Sequence, residues 1–265
     1  MEYLRYLSKP IPESPSGISY MPTFYRDTIV MTLSFSVMYV LVPLLAKIYY
    51  NDWYYKLDKK KREDFTSYFV CLFHHFLLVP RSWYHVIIDF TRVNNSNIDY
   101  GAIEVIVAPI CLGYLISDTI FYAINEVFAH NKFDYVLHHI CTVILVMFTI
   151  LANDGSICKF IPLLLLCDTT NIFFNCAWLF RLSPKYRESF IVKALEMCFL
   201  ISFLLLRTIH MPCLFYAISI TKAQYLGFAK HMLLPIALVQ WYWTYLVLIG
   251  SLKRFLPKKS DKKSK

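Results

Sequence analysis

Two adjacent histidines, His138 and His139, stand at the head of an apolar run, and 29 residues after His139 a carboxylate, Asp168, sits within the next one. Imidazole is the side chain most easily used as a base near neutral pH. A carboxylate in hydrocarbon costs roughly 2.5–3.5 kcal/mol on insertion scales, and ionisable groups kept inside membrane segments mark functional sites by default. The chemistry open to these three residues is therefore proton transfer in an apolar setting.

The elements that must position them are membrane helices. The chain has 265 residues, 57% hydrophobic and 17% charged, with a mean hydropathy of +0.47. A soluble domain carries about 25% charged residues. Apolar spans of about 20 residues fall at 28–48, 66–90, 103–125, 134–152, 158–180, 193–216 and 228–250. Asn153-Asp154-Gly155-Ser156 reads as the turn between the fourth and fifth. The expected architecture is all-α, a polytopic bundle of about seven spans enclosing a polar cavity. An N-terminal arm (1–27) precedes a membrane domain (28–250), and a basic tail (251–265) follows it. Pro10, Pro12, Pro15 and Pro22 interrupt any early apolar core, so no cleavable signal peptide is expected.

Charge sets the expected orientation. With seven spans, the side bearing the C-terminal tail carries 18 lysines and arginines and the opposite side 7, which places the tail in the cytosol. The sequon Asn94-Asn95-Ser96 then faces the lumen, close to the bilayer. The runs Lys59-Lys60-Lys61-Arg62 and Lys253-Arg254 flank spans, where they anchor helix ends and attract anionic lipid. The net charge of +9 therefore calls for no nucleic acid. Lys262-Lys263-Ser264-Lys265 resembles a dilysine retrieval signal. It points to the endoplasmic reticulum membrane and to coat machinery as a partner. The eight cysteines show no C-x-x-C pair and no metal-type spacing, so they read as reduced packing residues and no metal is expected.

At 100° per residue the polar residues within spans fall into stripes. His74, Arg81 and His85 share a face of the second span, with His75 beside it. Tyr114, Asp118, Tyr122 and Asn125 share one on the third, and both histidines of the fourth lie above Thr142. Asp168, Asn171, Asn175 and Trp178 align on the fifth, and Glu196 and Arg207 on the sixth. A rise of 1.5 Å per residue puts His138 and His139 roughly 7 Å, Asp118 and Asn175 roughly 10 Å and Asp168 roughly 18 Å inside the cytosolic boundary. One cavity open to the cytosol could then hold them all, with Asp168 as its floor, paired with Arg81 or Arg207. Structural readings stand beside this one: Asp168 satisfying an arginine, Asp118 capping a polar network, the second-span histidines and Arg81 serving packing, Glu196 lying at the interface.

Leu137-His138-His139-Ile140-Cys141-Thr142 resembles the paired-histidine motif of the TLC family, which includes ceramide synthases, translocon-associated membrane proteins and lipid-homeostasis proteins. Gly113-Tyr114-Leu115-Ile116-Ser117-Asp118 is similar to that family's glycine-aromatic-to-aspartate stretch. Cys167-Asp168-Thr169-Thr170-Asn171 stands where ceramide synthases carry His-Asp-x-x-Asp, with cysteine for the histidine and asparagine for the second aspartate. The resemblance, over roughly residues 60–250, implies a multi-pass endoplasmic reticulum protein of membrane-lipid, and by extension sphingolipid, homeostasis. Its partners would be membrane lipids, with homo-oligomers left open. Its catalytic residues would be His138, His139 and Asp168, with Asp118, Asn171, Asn175 and Arg207 binding substrate. The enzyme alternative is a ceramide-synthase-like N-acyltransferase, with acyl-coenzyme A as co-substrate and no bound cofactor. In it a histidine takes the proton or the acyl group, and Asp168 or Asp118 orients that histidine. A seven-span receptor or transporter is the third reading, and no Asp-Arg-Tyr follows the third span.

Overall fold

The computed structural model describes residues 21–91, 107–151, 160–220 and 227–255. The sequon, the 153–156 turn and the dilysine-like tail lie outside these residues. Among the described residues there are only helices and their connections. They are α1 (Met21–Tyr49), a short α2 (Asn51–Lys56), α3 (Lys59–Thr91), α4 (Ala108–His130), α5 (Phe133–Leu151), α6 (Phe160–Leu182), α7 (190–220) and α8 (Gly227–Phe255). Helix α1 begins seven residues before the expected span, inside the expected arm, with Pro22 in the first turn, where its missing N–H costs nothing.

Among the described residues, four helices are long and apolar enough to cross a membrane: Thr23–Tyr49, Ala108–His130, Phe160–Leu182 and His231–Ser251. The apolar stretch found in α5, Phe133–Met147, is shorter. The 33-residue α3 opens on a charged first turn instead of an apolar one.

Local chemistry sets the helix ends. Asp58 Oδ1 accepts from the Lys61 backbone N–H at 2.8 Å and starts α3. The same lysine's ammonium, 2.6 Å from Oδ2, helps hold the Asp58 carboxyl below its ordinary range. Asn131, left-handed at φ 54°, ends α4. Its N–H reaches Val127 O (3.0 Å), the αL form of helix C-cap, and that of Lys132 reaches Glu126 O (3.3 Å); α5 starts at once after it. Ser189 caps α7, its hydroxyl accepting from Val192 N at 3.4 Å.

Three interruptions bear on the site. Helix α4 widens into a π turn at Thr119–Ala123, α6 tightens into a 3₁₀ turn at Leu166–Asp168, and α7 is π-helical over Leu204–His210. Pro212, which has no N–H to give the preceding turn, follows the α7 π segment closely.

Packing arranges six helices in a ring. Neighbours in order are α3, α4, α5, α8, α7, α6 and α3 again. Helix α1 stands outside the ring, against α4 and α3. Its outward side is apolar (Leu33 is 62% and Val40 60% exposed), as suits a surface facing lipid. At its contact with α4, Ser117 Oγ donates to Thr32 O (2.8 Å) and lies 3.1 Å from Ser36 Oγ. Gly113, one turn before Ser117, brings the backbones together, because a Cβ there would lie 2.5 Å from Met31 Cβ and 2.8 Å from Met31 C.

Candidate functional site

The ring encloses a cavity of about 470 Å³ lined by residues of all six helices and none of α1. Helix α5 contributes His138, His139 and Thr142, and α6 contributes Asp168, Asn171 and Asn175. Arg207 of α7 and His74, His75 and Tyr114 of α3 and α4 also line it. Leu145, Val146, Leu164, Met211 and Ile236 supply apolar wall. Six of the seven predicted site residues therefore share one space; Asp118 is the exception.

Asp118, expected among the substrate-binding groups, stands behind the wall, fully buried and outside the cavity lining. It is enclosed because hydroxyls from three directions saturate it. Tyr39 of α1 and Ser67 of α3 donate to Oδ1 (the latter at 3.1 Å), and Tyr135 of α5 donates to Oδ2 at 2.9 Å. Its outlet is His139, whose Nδ1 lies 3.6 Å from Oδ2 and 3.2 Å from Thr119 Oγ1. Asp118 thus meets the cavity through the His139 imidazole.

Asp168 belongs to a second cluster. Its Oδ1 is 3.4 Å from Asn171 Nδ2, 3.8 Å from His75 Nε2 and 3.9 Å from Arg207 Nη2. Arg207, 4% exposed, is the partner that the spacing left open between two arginines. It donates through Nε to Thr170 Oγ1 (3.0 Å), through Nη1 to Gln240 Oε1 (2.9 Å) and through Nη2 to Asn171 Oδ1 (3.2 Å). Arg81 turns to Leu77 O of its own helix at 2.5 Å, on an exposed face. The 3₁₀ turn ends at Asp168 and sets its carboxylate at the head of the Asn171–Asn175 stripe. So the carboxylate next to the paired histidines is Asp118, and Asp168 serves His75 and Arg207 across the cavity. The two histidines themselves diverge. His139 faces Asp118 on α4, while the His138 ring packs against Trp243 of α8 with centroids 5.1 Å apart.

Several participants escaped the sequence reading. His74 and His75, read as packing residues, are 2% exposed and line the cavity, with His74 stacked on Tyr114 at 4.1 Å. They form a second histidine pair, which was the available signal. Tyr135, three and four residues before His138 and His139, was visible by helical spacing. Tyr39 and Gln240, one polar group in each of two apolar runs, carried a weaker signal. Glu196 does not join Arg207; it pairs with Arg181 of α6. The seven described cysteines are free, and Cys71, Cys111 and Cys167 line the cavity.

The cavity's mouth is charged. Glu126 of α4 is held by Lys60 (2.5 Å) and Lys132 (2.8 Å), and Lys60 also pairs with Asp64. Asp134 accepts from Trp243 Nε1 at 2.7 Å, which ties the start of α5 to α8.

No curated protein and no solved structure matches the chain. A family model for the TLC domain matches residues 63–253, from the first turns of α3 to the end of α8, which takes in all six helices of the ring and both histidine pairs. The chain therefore belongs to the TLC-domain family, and its shared part is the six-helix ring.

Proposed function

We propose that this membrane protein acts in membrane-lipid homeostasis by holding a lipid in the six-helix cavity. The observation that carries this reading is a set of polar atoms left without partners among the described residues. They are His138 Nδ1, Thr142 Oγ1, Asn175 Nδ2 and both ring nitrogens of His74, all on cavity-lining residues. An unmade buried hydrogen bond costs about 1–3 kcal/mol. A headgroup offering both donors and acceptors recovers that cost, while an acyl or sphingoid chain suits the Leu145, Val146, Leu164 and Ile236 wall. A volume of about 470 Å³ lies within the usual range for ligand pockets. Sphingoid bases and ceramides carry such a headgroup, which makes sphingolipids the preferred class. The basic residue bias supports a bundle of seven spans with a cytosolic C-terminus. The dilysine-like tail supports residence in the endoplasmic reticulum membrane.

A second reading rests on the His139–Asp118 pair, which has the geometry of an oriented general base. In it, His139 or His138 takes a proton from a lipid amine as nitrogen attacks an acyl thioester. The C–N bond forms, the C–S bond breaks, and coenzyme A leaves as the thiol with that proton. Cys167 and Asn171, in place of the histidine and aspartate of ceramide synthases, weigh toward binding.

Mass spectrometry of lipids co-purifying with the full-length protein tests the proposal. The wild type is expected to carry a defined lipid, and His138→Ala/Asn175→Ala to lose about tenfold or more of it, two hydrogen bonds being worth about that factor. Equal lipid content in wild type and variant overturns the binding reading. Turnover of labelled acyl-coenzyme A with amine or hydroxyl lipids, lost in His139→Ala, establishes the transferase instead.

A further inference from the structure

A second pocket, of about 380 Å³, lies outside the ring, between α1, α2 and the charged ends of α3 and α4. We propose that it binds the phosphate headgroup of an anionic phospholipid, at a site of its own beside the central cavity.

The four consecutive cations at the start of α3 divide their work. Lys60 turns inward to Asp64 and Glu126, and Lys61 pairs with Asp58. Lys59 and Arg62, three residues apart on one face, line the outer pocket. Lys47, from the last turn of α1, joins them and has no hydrogen-bond or ion-pair partner among the described residues. Arg62 uses Nη1 on Leu57 O (3.1 Å), and Lys59 meets Glu63 only at 3.8 Å. The pocket's other carboxylate, Glu126, is already held by Lys60 and Lys132. The rim therefore offers cationic donors to an anion, beside the N-terminus of a 33-residue helix.

The shape selects a lipid over a free phosphate. Below the cations the wall is Pro43, the Tyr54 ring and Tyr39 stacked on Phe121 at 5.3 Å. Tyr39 lies eight residues before Lys47, about 12 Å deeper along the helix. Phe121 is 40% exposed and leads onto lipid-facing apolar surface. A charged top over a deep apolar wall that continues into the bilayer fits a headgroup with its chains attached. All three cations precede residue 63, so they are not part of the shared family region. The pocket touches the ring through Tyr122 and Glu126, which line both spaces.

Native mass spectrometry of the full-length protein, titrated with phosphatidylserine or phosphatidylinositol 4-phosphate against phosphatidylcholine, tests the proposal. Each basic residue near an anionic lipid is worth about fivefold, so Lys47→Ala/Lys59→Ala/Arg62→Ala is expected to lose about hundredfold in anionic-lipid affinity. Its unfolding midpoint should stay at the wild-type value, and the charge-keeping Lys47→Arg/Lys59→Arg/Arg62→Lys should keep binding. Equal anionic-lipid binding by wild type and alanine variant overturns the proposal. So does loss of binding in the charge-keeping variant together with a lowered midpoint, which would assign the effect to folding. Loss in His138→Ala/Asn175→Ala with retention in the alanine triple variant moves the anion to the central cavity. Inositol phosphates binding as tightly as the lipids would make this a soluble-phosphate site and overturn the choice of a lipid.

Discussion

Gly113→Ala is expected to lower the thermal unfolding midpoint sharply, and Gly113→Leu to lift α1 off the ring. The alanine Cβ would stand 2.5 Å from Met31 Cβ and 2.8 Å from the Met31 carbonyl carbon and the Thr32 nitrogen. Two of those contacts are backbone, so no rotamer change relieves them and one helix must move. Overpacking of this kind costs about 2–3 kcal/mol. The movement also pulls on the Ser117–Thr32 and Ser117–Ser36 contacts one turn along, and on Tyr39 where it reaches Asp118. A chemical readout is at hand, since Ser36 Oγ and Ser117 Oγ are 3.1 Å apart. Ser36→Cys/Ser117→Cys should cross-link under oxidation, and adding Gly113→Leu should abolish the cross-link. A retained cross-link and an unchanged midpoint would show that α1 does not pack on α4 through this glycine.

Asp118→Ala is the second large effect. The carboxylate is fully buried and accepts from Tyr39, Ser67 and Tyr135. Truncation strands three hydroxyl donors and opens a void, a loss on the order of 3–5 kcal/mol. Asp118→Asn keeps the volume and one good acceptor and should fall between alanine and wild type. His139 loses its nearest charged partner in both, so bound lipid should fall along with the midpoint. The ordering wild type, Asn, Ala in differential scanning measurements checks the account. An alanine variant as stable as wild type would show that the hydroxyls find other acceptors.

Much of the site was legible because polar groups are costly in apolar spans. Of the fifth-span stripe, Asp168 touches Asn171, and all three of Asp168, Asn171 and Asn175 line the cavity, while Trp178 stands outside it against the Tyr68 ring at 4.6 Å. The shared face read for Glu196 and Arg207 leads to different surroundings: Arg207 lines the cavity, while Glu196 pairs with Arg181. Arg207 lies inside the π segment Leu204–His210, where the angular step per residue changes, so a fixed 100° rotation no longer relates it to Glu196 in the preceding α-helical turns. The place of Asp118 behind the wall was not legible, because its donors come from three helices far apart in the chain. The ring order was equally hidden, since α8 closes between α5 and α7 and α1 stays outside. The α1–α4 contact was not read either, although it is built on a small-residue pair, Gly113 and Ser117 at i and i+4. The run Lys59-Lys60-Lys61-Arg62 read as one anchor, yet its members face three different sets of partners.

The tie between Trp243 and its neighbours makes the cavity optically readable. An indole's emission follows the polarity around it, and a neighbouring imidazolium quenches it. Trp243 lines the cavity, rests on His138 and gives its N–H to Asp134, so filling the space, protonating the histidine or parting α5 from α8 each alters its light differently. The chain has five tryptophans, and Trp53, Trp83, Trp178 and Trp241 do not line this cavity. With those four changed to phenylalanine, the remaining fluorophore turns occupancy into a continuous signal, in a label-free protein and in real time.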